Sequence, residues 1–458
     1  MTAPDHLKIT GPEDILGFIP HSLGYWPDNS LVAMTLQGKR LGATLRVDLP
    51  EPSRRRGPAL AAFARTVRDY LEADEEADGT LLAIFSAPED TADGGAEGDT
   101  ADGGGPADGG PPGAGGDVPD DGISPSLARL LGELELTLGA AGLPVRDAWL
   151  IGERYWRNAH CIDPSCCAPP GRPIEEIRNS RLNAELVFRG SSGGAAPGRS
   201  ARGRPSAGDP PAPVEPAALE AEQGWAREFS GRWRNRAQFQ TVLEVWERVL
   251  DAATRLAGHT SGRRPAGVPA AALPAGLAGY LRATLCVAPW RDAVLVMAAA
   301  GRAAAEAGAE EFGVFDAGPD EPAPLPELEG FPPAAVAPGP APGEATTAGE
   351  TPGYGDVLLG LLPPAPDWAR LAGLDRVLSH LGGCGGGEAK AAALTGRGWI
   401  EWCRGRGSFA DALFTAAAAE EPGYRLAELL AELGRRGTLC GWARRRDAAW
   451  QKFDPDAA

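Results

Sequence analysis

The chain has 458 residues, 43% of them hydrophobic, which is enough for two or three domains with packed cores. Its net charge of −18 opposes binding to a polyanion, so we expect no nucleic-acid partner. The start of the chain has no basic segment followed by an apolar one, and no run of about 20 strongly apolar residues occurs. These features predict a cytoplasmic protein without a membrane span.

The first part of the chain has the apolar runs and periodic patterns of a mixed α/β domain. The capping-box spacing of Thr10 and Glu13 begins a short helix, which we expect to end before Pro20. Pro27 to Asn29 has turn chemistry and leads into a hairpin. Apolar spacing predicts the remaining elements: strands over 31–36 and 41–49, a helix over 60–71, a strand over 80–85, a helix from Ser124 and a strand over 147–152.

Three stretches have compositions that cannot bury enough apolar surface to form a core. Residues 87–122 hold ten acidic side chains and no Lys or Arg, and we interpret them as a disordered insert. Residues 190–217 and 317–356 are rich in Pro, Ala and Gly and are interpreted as flexible linkers. The remaining regions are a mixed α/β domain over 1–189 and helical regions over 218–316 and 357–458.

The helical regions contain one motif-like spacing. Apolar residues that recur every three or four positions over 225–256 predict one long amphipathic helix, or two in series. Further on, several residues have the spacing of a tetratricopeptide unit: Gly398, Gly405, Ala410, Phe414, Ala417 and Pro422. We therefore predict an all-α C-terminal region with a tetratricopeptide-like helical hairpin. This hairpin either presents a groove to a peptide or is an ordinary part of a helical bundle.

Polar residues near the first hairpin are the first candidate site. His21, Asp28 and Ser30 lie within ten positions, and Arg46 and Asp48 share one face of a strand that reaches the same edge. A small ligand could bind these five side chains in a pocket at this edge. The alternative is structural, because turn residues and Arg–Asp pairs more often hold a fold together.

A cysteine cluster is the second candidate site. His160, Cys161, Cys166 and Cys167 lie in one Pro-rich loop and are of the residue types that bind structural zinc. Their spacing is not the usual Cys-x2-Cys knuckle, so free thiols or a redox-labile pair remain alternatives. The other four cysteines, Cys286, Cys384, Cys403 and Cys440, are expected to be core or incidental residues.

The chain also resembles a known family. The stretches ITGPEDILGFIPHSLGYWPDNSLV, LRVDLP, ERYWRNAHCIDPSCCAPPG and GRGSFADALFTAAAAEEP are similar, in that order, to the landmarks of an actinobacterial domain of unknown function, DUF4192. The resemblance runs nearly end to end, outside the three low-complexity stretches. It implies a cytoplasmic actinobacterial protein with an α/β portion followed by helices, and it implies no activity and no functional residue.

Two functional hypotheses follow from these patterns. The P-loop, HExxH and Cys-x2-Cys motifs are absent, and no GxGxxG follows a strand. The first hypothesis is therefore a non-catalytic interaction or regulatory protein that engages a protein partner through its C-terminal helices. The alternative is a small-ligand-binding protein or enzyme with its pocket at the N-terminal hairpin edge.

Overall fold

The structure is a computed structural model, and it describes residues 9–86, 124–161, 163, 171–188, 215–258, 273–316, 324–332 and 352–451. The chain divides into two compact units, the α/β unit over 1–196 and the helical unit over 197–457. The insert predicted at 87–122 lies outside the described residues, as does most of the linker predicted at 190–217. The mixed α/β region followed by helices is confirmed.

A six-stranded mixed sheet forms the centre of the α/β unit. Its strands are β1 (Ser30–Gln37), β2 (Arg40–Asp48), β3 (Gly79–Phe85), β4 (Val145–Ile151), β5 (Tyr155–Asn158) and β6 (Arg172–Pro173). They lie in the order β2-β1-β3-β4-β5-β6. Only β3 and β4 are parallel neighbours, whereas the other neighbouring pairs are antiparallel. The hairpin predicted after the Pro27 turn is therefore present as β1 and β2.

Helices cover both faces of this sheet. They are α1 (Pro12–Leu23), α2 (Gly57–Leu71), α3 (Pro125–Ala140), α4 (Glu175–Arg178) and α5 (Arg181–Phe188). Alternate residues of β1 point to opposite faces, so Leu31 and Ala33 pack with α2 and α3, while Val32 and Met34 pack with α1 and α4. The helix expected from Ser124 is confirmed, because the Ser124 side chain caps α3 by accepting the N–H of Leu127.

The predicted end of the first helix is wrong. Helix α1 continues through Pro20 to Leu23 and ends at Gly24, whose φ of 87° closes it. Proline removes only one backbone donor, and burial of Leu16, Ile19 and His21 along α1 favours the helix beyond that point. The Gly24 N–H then donates to the Pro20 carbonyl, which satisfies a terminal acceptor.

The helical unit is a bundle. Its helices are α6 (Pro216–Ser230), α7 (Arg236–Gly258), α8 (Ala275–Leu285), α9 (Ala288–Ala300), α10 (Arg302–Glu311), α11 (Tyr354–Leu358), α12 (Trp368–Cys384), α13 (Glu388–Cys403), α14 (Gly407–Glu420), α15 (Arg425–Arg435) and α16 (Gly441–Arg444). The apolar spacing over 225–256 thus corresponds to two helices in series, α6 and α7.

Parts of two predicted linkers are ordered against this bundle, which corrects their boundaries. Helix α6 begins inside the predicted linker 190–217, and α11 begins inside 317–356. Tyr354 is buried, and its hydroxyl donates to the Ala305 carbonyl at 2.6 Å. Leu328 and Phe331 also pack on the helical core. Apolar anchors isolated among Pro and Gly therefore outweigh the loop-like composition around them.

The predicted helical hairpin is formed by α13 and α14. Gly398 of α13 faces the Phe414 ring of α14, where a Cβ atom on Gly398 would lie 2.5 Å from the ring. Both residues are buried. The small residue of the tetratricopeptide spacing therefore acts as expected, because it lets two helices approach at aromatic contact distance.

No single helix among the described residues is both long and apolar enough to cross a membrane. Helices α8 and α9 are long and apolar enough only when they are taken together, and the chain bends by 105° between them. Most of their side chains are buried in the core of the helical unit.

Candidate functional site

The hairpin-edge residues form a hydrogen-bonded chain at the end of β1 and β2. Asn29 takes a left-handed φ of 43° in the turn, and the Ser30 hydroxyl donates to the Asp28 carbonyl at 2.6 Å. Arg46 Nε donates to Ser30 Oγ at 2.9 Å, and Arg46 also pairs with Asp48 at 2.5 Å. Ser30 is fully buried, whereas the Asp48 side chain is 78% exposed. This series of hydrogen bonds ties the edge strand β2 to the turn that precedes β1.

His21 is held by a different contact. It is buried on α1, and its Nε2 lies 2.6 Å from Oδ1 of Asn183 on α5. Asn183 Nδ2 donates to the Arg178 carbonyl, so Oδ1 is the acceptor and His21 Nε2 carries the proton. In this arrangement Nε2 is not free to act as a base. His21 links α1 to α5, and the ligand-binding role expected for the five hairpin-edge residues stays a prediction.

Asp14 strengthens the same junction between α1 and α5. Its carboxylate accepts the backbone N–H of Leu182 at 3.1 Å and both the N–H and the hydroxyl of Thr10. Burial raises the pKa of Asp14, but these hydrogen bonds outweigh it and hold the pKa below its ordinary value. The carboxylate is therefore a structural anchor that stays ionised at neutral pH.

The cysteine loop is described only at its start. Asn158 Oδ1 accepts the backbone N–H groups of His160 and Cys161, which bends the chain after β5. His160 Nε2 lies 3.0 Å from Glu135 of α3. Cys166 and Cys167 lie outside the described residues, so the zinc hypothesis for this loop stays a prediction.

A cavity of about 500 Å³ lies beside β4, β5 and β6, away from the hairpin edge. The side chains of Trp149 and Trp156 line it and are at most 2% exposed. Neither indole N–H has a hydrogen-bond partner among the residues that the structure describes. A buried donor without a partner is unfavourable, and an acceptor atom of a ligand in the cavity would satisfy it.

Arg172 gives this cavity a cation. Its guanidinium lies 4.6 Å from the centre of the Trp156 ring and pairs with Glu176 at 2.7 Å and with Glu13 at 3.8 Å. The arginine is thus positioned on three sides by an aromatic ring and two carboxylates. Together with two indole donors it favours a ligand that carries oxygen acceptors, such as a carboxylate. The sequence marks Trp149 and Trp156 only as apolar strand residues.

A surface patch in the helical unit is the third candidate. Four leucines form it and are each between 37% and 48% exposed: Leu359, Leu361, Leu362 and Leu439. The segments that carry them touch, since the Gly441 N–H donates to the Leu359 carbonyl at 3.0 Å. We call these four residues the leucine patch. Arg445 lies beside it and donates to the carbonyls of Leu361 and Pro363.

The comparison with known proteins gives the family. A mixed sheet between two helical layers, followed by a helical bundle, defines an α/β protein with a helical extension. The model of the family described as "Domain of unknown function (DUF4192)" matches residues 12–309 and 373–438. The chain therefore belongs to the DUF4192 family, and the resemblance seen in the sequence is confirmed. No curated protein and no solved structure matches the chain significantly.

The hydrogen bonds at the hairpin edge predict unequal effects of two substitutions. Arg46→Met removes the donor to a buried hydroxyl and should destabilise the β1–β2 hairpin by about 1–2 kcal/mol. Asp48→Asn changes an exposed partner and should cost less than about 0.5 kcal/mol. Amide hydrogen exchange in β1 and β2 measures both. Equal effects of the two variants would contradict a structural role centred on Ser30 and Arg46.

Proposed function

We propose that this DUF4192 protein is a non-catalytic interaction protein of the cytoplasm that binds a protein partner through its helical unit. The observation that carries the proposal is the leucine patch. Single exposed leucines are ordinary on a protein surface, but four on two segments joined by a backbone hydrogen bond bring together apolar area of the kind found at binding sites. A partner that covers the leucine patch would remove this apolar area from water, which stabilises the complex.

The surroundings of the leucine patch indicate the chemistry of the partner. Arg444 and Arg446 follow the patch in the chain and are exposed, and Arg445 lies against its carbonyl groups. An apolar centre with a cationic rim is complementary to a segment that combines apolar and acidic side chains. The partner is therefore a protein with an acidic, amphipathic segment.

The cysteines support a reducing compartment. The described cysteines are all free, and Cys403 and Cys440 are buried beside each other without a disulfide. Burial raises the pKa of the Cys403 thiol, and a hydrogen bond from Cys403 lowers the pKa of Cys440. Such a pair stays as thiols where the surroundings are reducing, as in the cytoplasm.

Site-specific cross-linking in native cells tests the leucine patch. A photoreactive residue in place of Leu361 should give an adduct with a second protein, whereas the same residue at Leu136, which is 71% exposed on α3, should not. Leu439→Asp should lower the adduct yield at position 361 at least about tenfold, because it places a carboxylate against an acidic partner. Adducts of equal yield at both positions, or a yield unaffected by Leu439→Asp, would contradict the proposal.

The cavity beside β4 to β6 supports a second candidate function, binding of a small carboxylate or phosphate. Two of the stretches that carry the family resemblance contribute to it, since Pro12 belongs to the first and Trp156 to the third. The unpartnered indole N–H groups favour this candidate over an empty structural gap. Unlike the expected pocket at the hairpin edge, this one lies towards the opposite edge of the sheet, beside β4 to β6.

Nuclear magnetic resonance tests the second candidate. Acetate and inorganic phosphate, titrated to about 10 mM, should shift the indole N–H resonances of Trp149 and Trp156, because hydrogen bonds move these resonances. Arg172→Met should abolish the shifts, and Arg154→Met, which changes an exposed arginine outside the cavity lining, should preserve them. Resonances that do not move, or that move equally in the Arg172→Met protein, would rule this function out.

A further inference from the structure

Three metal-ligating side chains meet inside the helical unit. His380 and Cys384 are four residues apart on the last turn of α12, so they share one face of the helix. Glu215 is the residue that precedes α6, and it lies 169 positions before Cys384 in the chain. One potential ligand atom of each residue lies within 4.8 Å of the other two.

The two distances from the Cys384 sulfur are close to those of a tetrahedral zinc site. Cys384 Sγ lies 3.8 Å from Glu215 Oε2 and 3.8 Å from His380 Nε2. Bond lengths of about 2.3 Å to sulfur and about 2.0 Å to nitrogen or oxygen place tetrahedral zinc ligands about 3.5 Å apart. The two distances from the Cys384 sulfur are therefore within a few tenths of an ångström of the tetrahedral value, and the third pair of ligand atoms lies within 4.8 Å.

The backbone around the cluster holds these ligands in place. The Glu215 N–H donates to the Cys384 carbonyl at 3.1 Å, which joins the start of α6 to the end of α12. Arg282 is fully buried and donates to the carbonyls of Leu381, Gly385 and Gly386. It thereby caps the helix end that carries His380 and Cys384, while its own charge is paired with Glu222 at 2.6 Å.

One side of the three-residue cluster is open to solvent. Cys384 is only 2% exposed, whereas Glu215 and His380 are partly exposed. Zinc sites with three protein ligands use water as the fourth ligand, and this arrangement gives water access from the Glu215 and His380 side. A cysteine, a histidine and a carboxylate together also suit zinc better than magnesium or calcium, which prefer all-oxygen sites.

We propose that Glu215, His380 and Cys384 form a zinc site that ties α6 to α12. The Cys384 thiol transfers its proton to solvent as the Sγ–Zn bond forms, and neutral His380 and the Glu215 carboxylate complete the protein ligands. The two negative ligands balance the charge of Zn²⁺. This site is independent of the cysteine loop at His160 and of the leucine patch.

Metal titration of the full-length protein without a histidine tag tests the site. Co²⁺ should give the near-ultraviolet charge-transfer band of a thiolate–metal bond, and Zn²⁺ should displace it. Cys384→Ser should abolish the part of the band that this site contributes and lower the bound zinc by one equivalent per chain. Cys286→Ser changes a half-buried cysteine outside the cluster and should leave both values unchanged.

A second variant covers the case in which Cys384→Ser affects folding. His380→Gln retains the thiol, so a cobalt–thiolate band should remain but shift, and zinc affinity should fall at least about tenfold. Zinc should also raise the melting temperature of the native protein more than that of His380→Gln. Unchanged zinc content and an unchanged band in both variants would show that these three residues form only a hydrogen-bonded cluster, and the proposal would be wrong.

Discussion

The close contact of α6 and α8 at Gly279 is the constraint on which the helical unit depends. A Cβ atom at this position would lie 2.5 Å from the Ala221 side chain and 2.6 Å from the Ala218 carbonyl oxygen. Only glycine therefore allows the two helix backbones to touch. Because α6 lies so close, Glu222 reaches the fully buried Arg282, and an unpaired guanidinium in that position would be highly unfavourable.

The same contact governs the proposed zinc site. Arg282 lies on α8, one turn beyond Gly279, and its guanidinium caps the end of α12. Glu215 stands at the start of α6, so the approach of α6 to α8 also brings it to Cys384. A change of an ångström between these helices would separate a buried ion pair, a helix cap and three potential metal ligands at once. Gly398 has the corresponding role between α13 and α14.

The regular elements could be predicted because each has a simple apolar pattern, as the nearly continuous apolar run of β1 and the helical stripe of the Ser124-capped α3 illustrate. The continuation of α1 through Pro20 to Leu23 could not be predicted, since tertiary burial of His21 outweighed the local rule that proline ends a helix. The sequence placed the polar residues of the hairpin edge near one another. It did not predict that His21 contacts Asn183 instead. For the cluster of Glu215, His380 and Cys384, the sequence has a local signal only in the four-residue spacing of His380 and Cys384. Glu215 comes from a distant segment that no spacing rule connects to this pair.

Substitution at Gly279 tests this account most directly, with Gly276 on the same helix as a matched control. A Cβ atom at Gly276 would meet nothing within 4 Å. We expect Gly279→Ala to lower the free energy of unfolding of the helical unit by about 1–3 kcal/mol, seen as faster amide exchange in α6 and α8. Gly276→Ala should leave it unchanged or raise it by up to about 1 kcal/mol. Equal stability of the two variants would contradict the account.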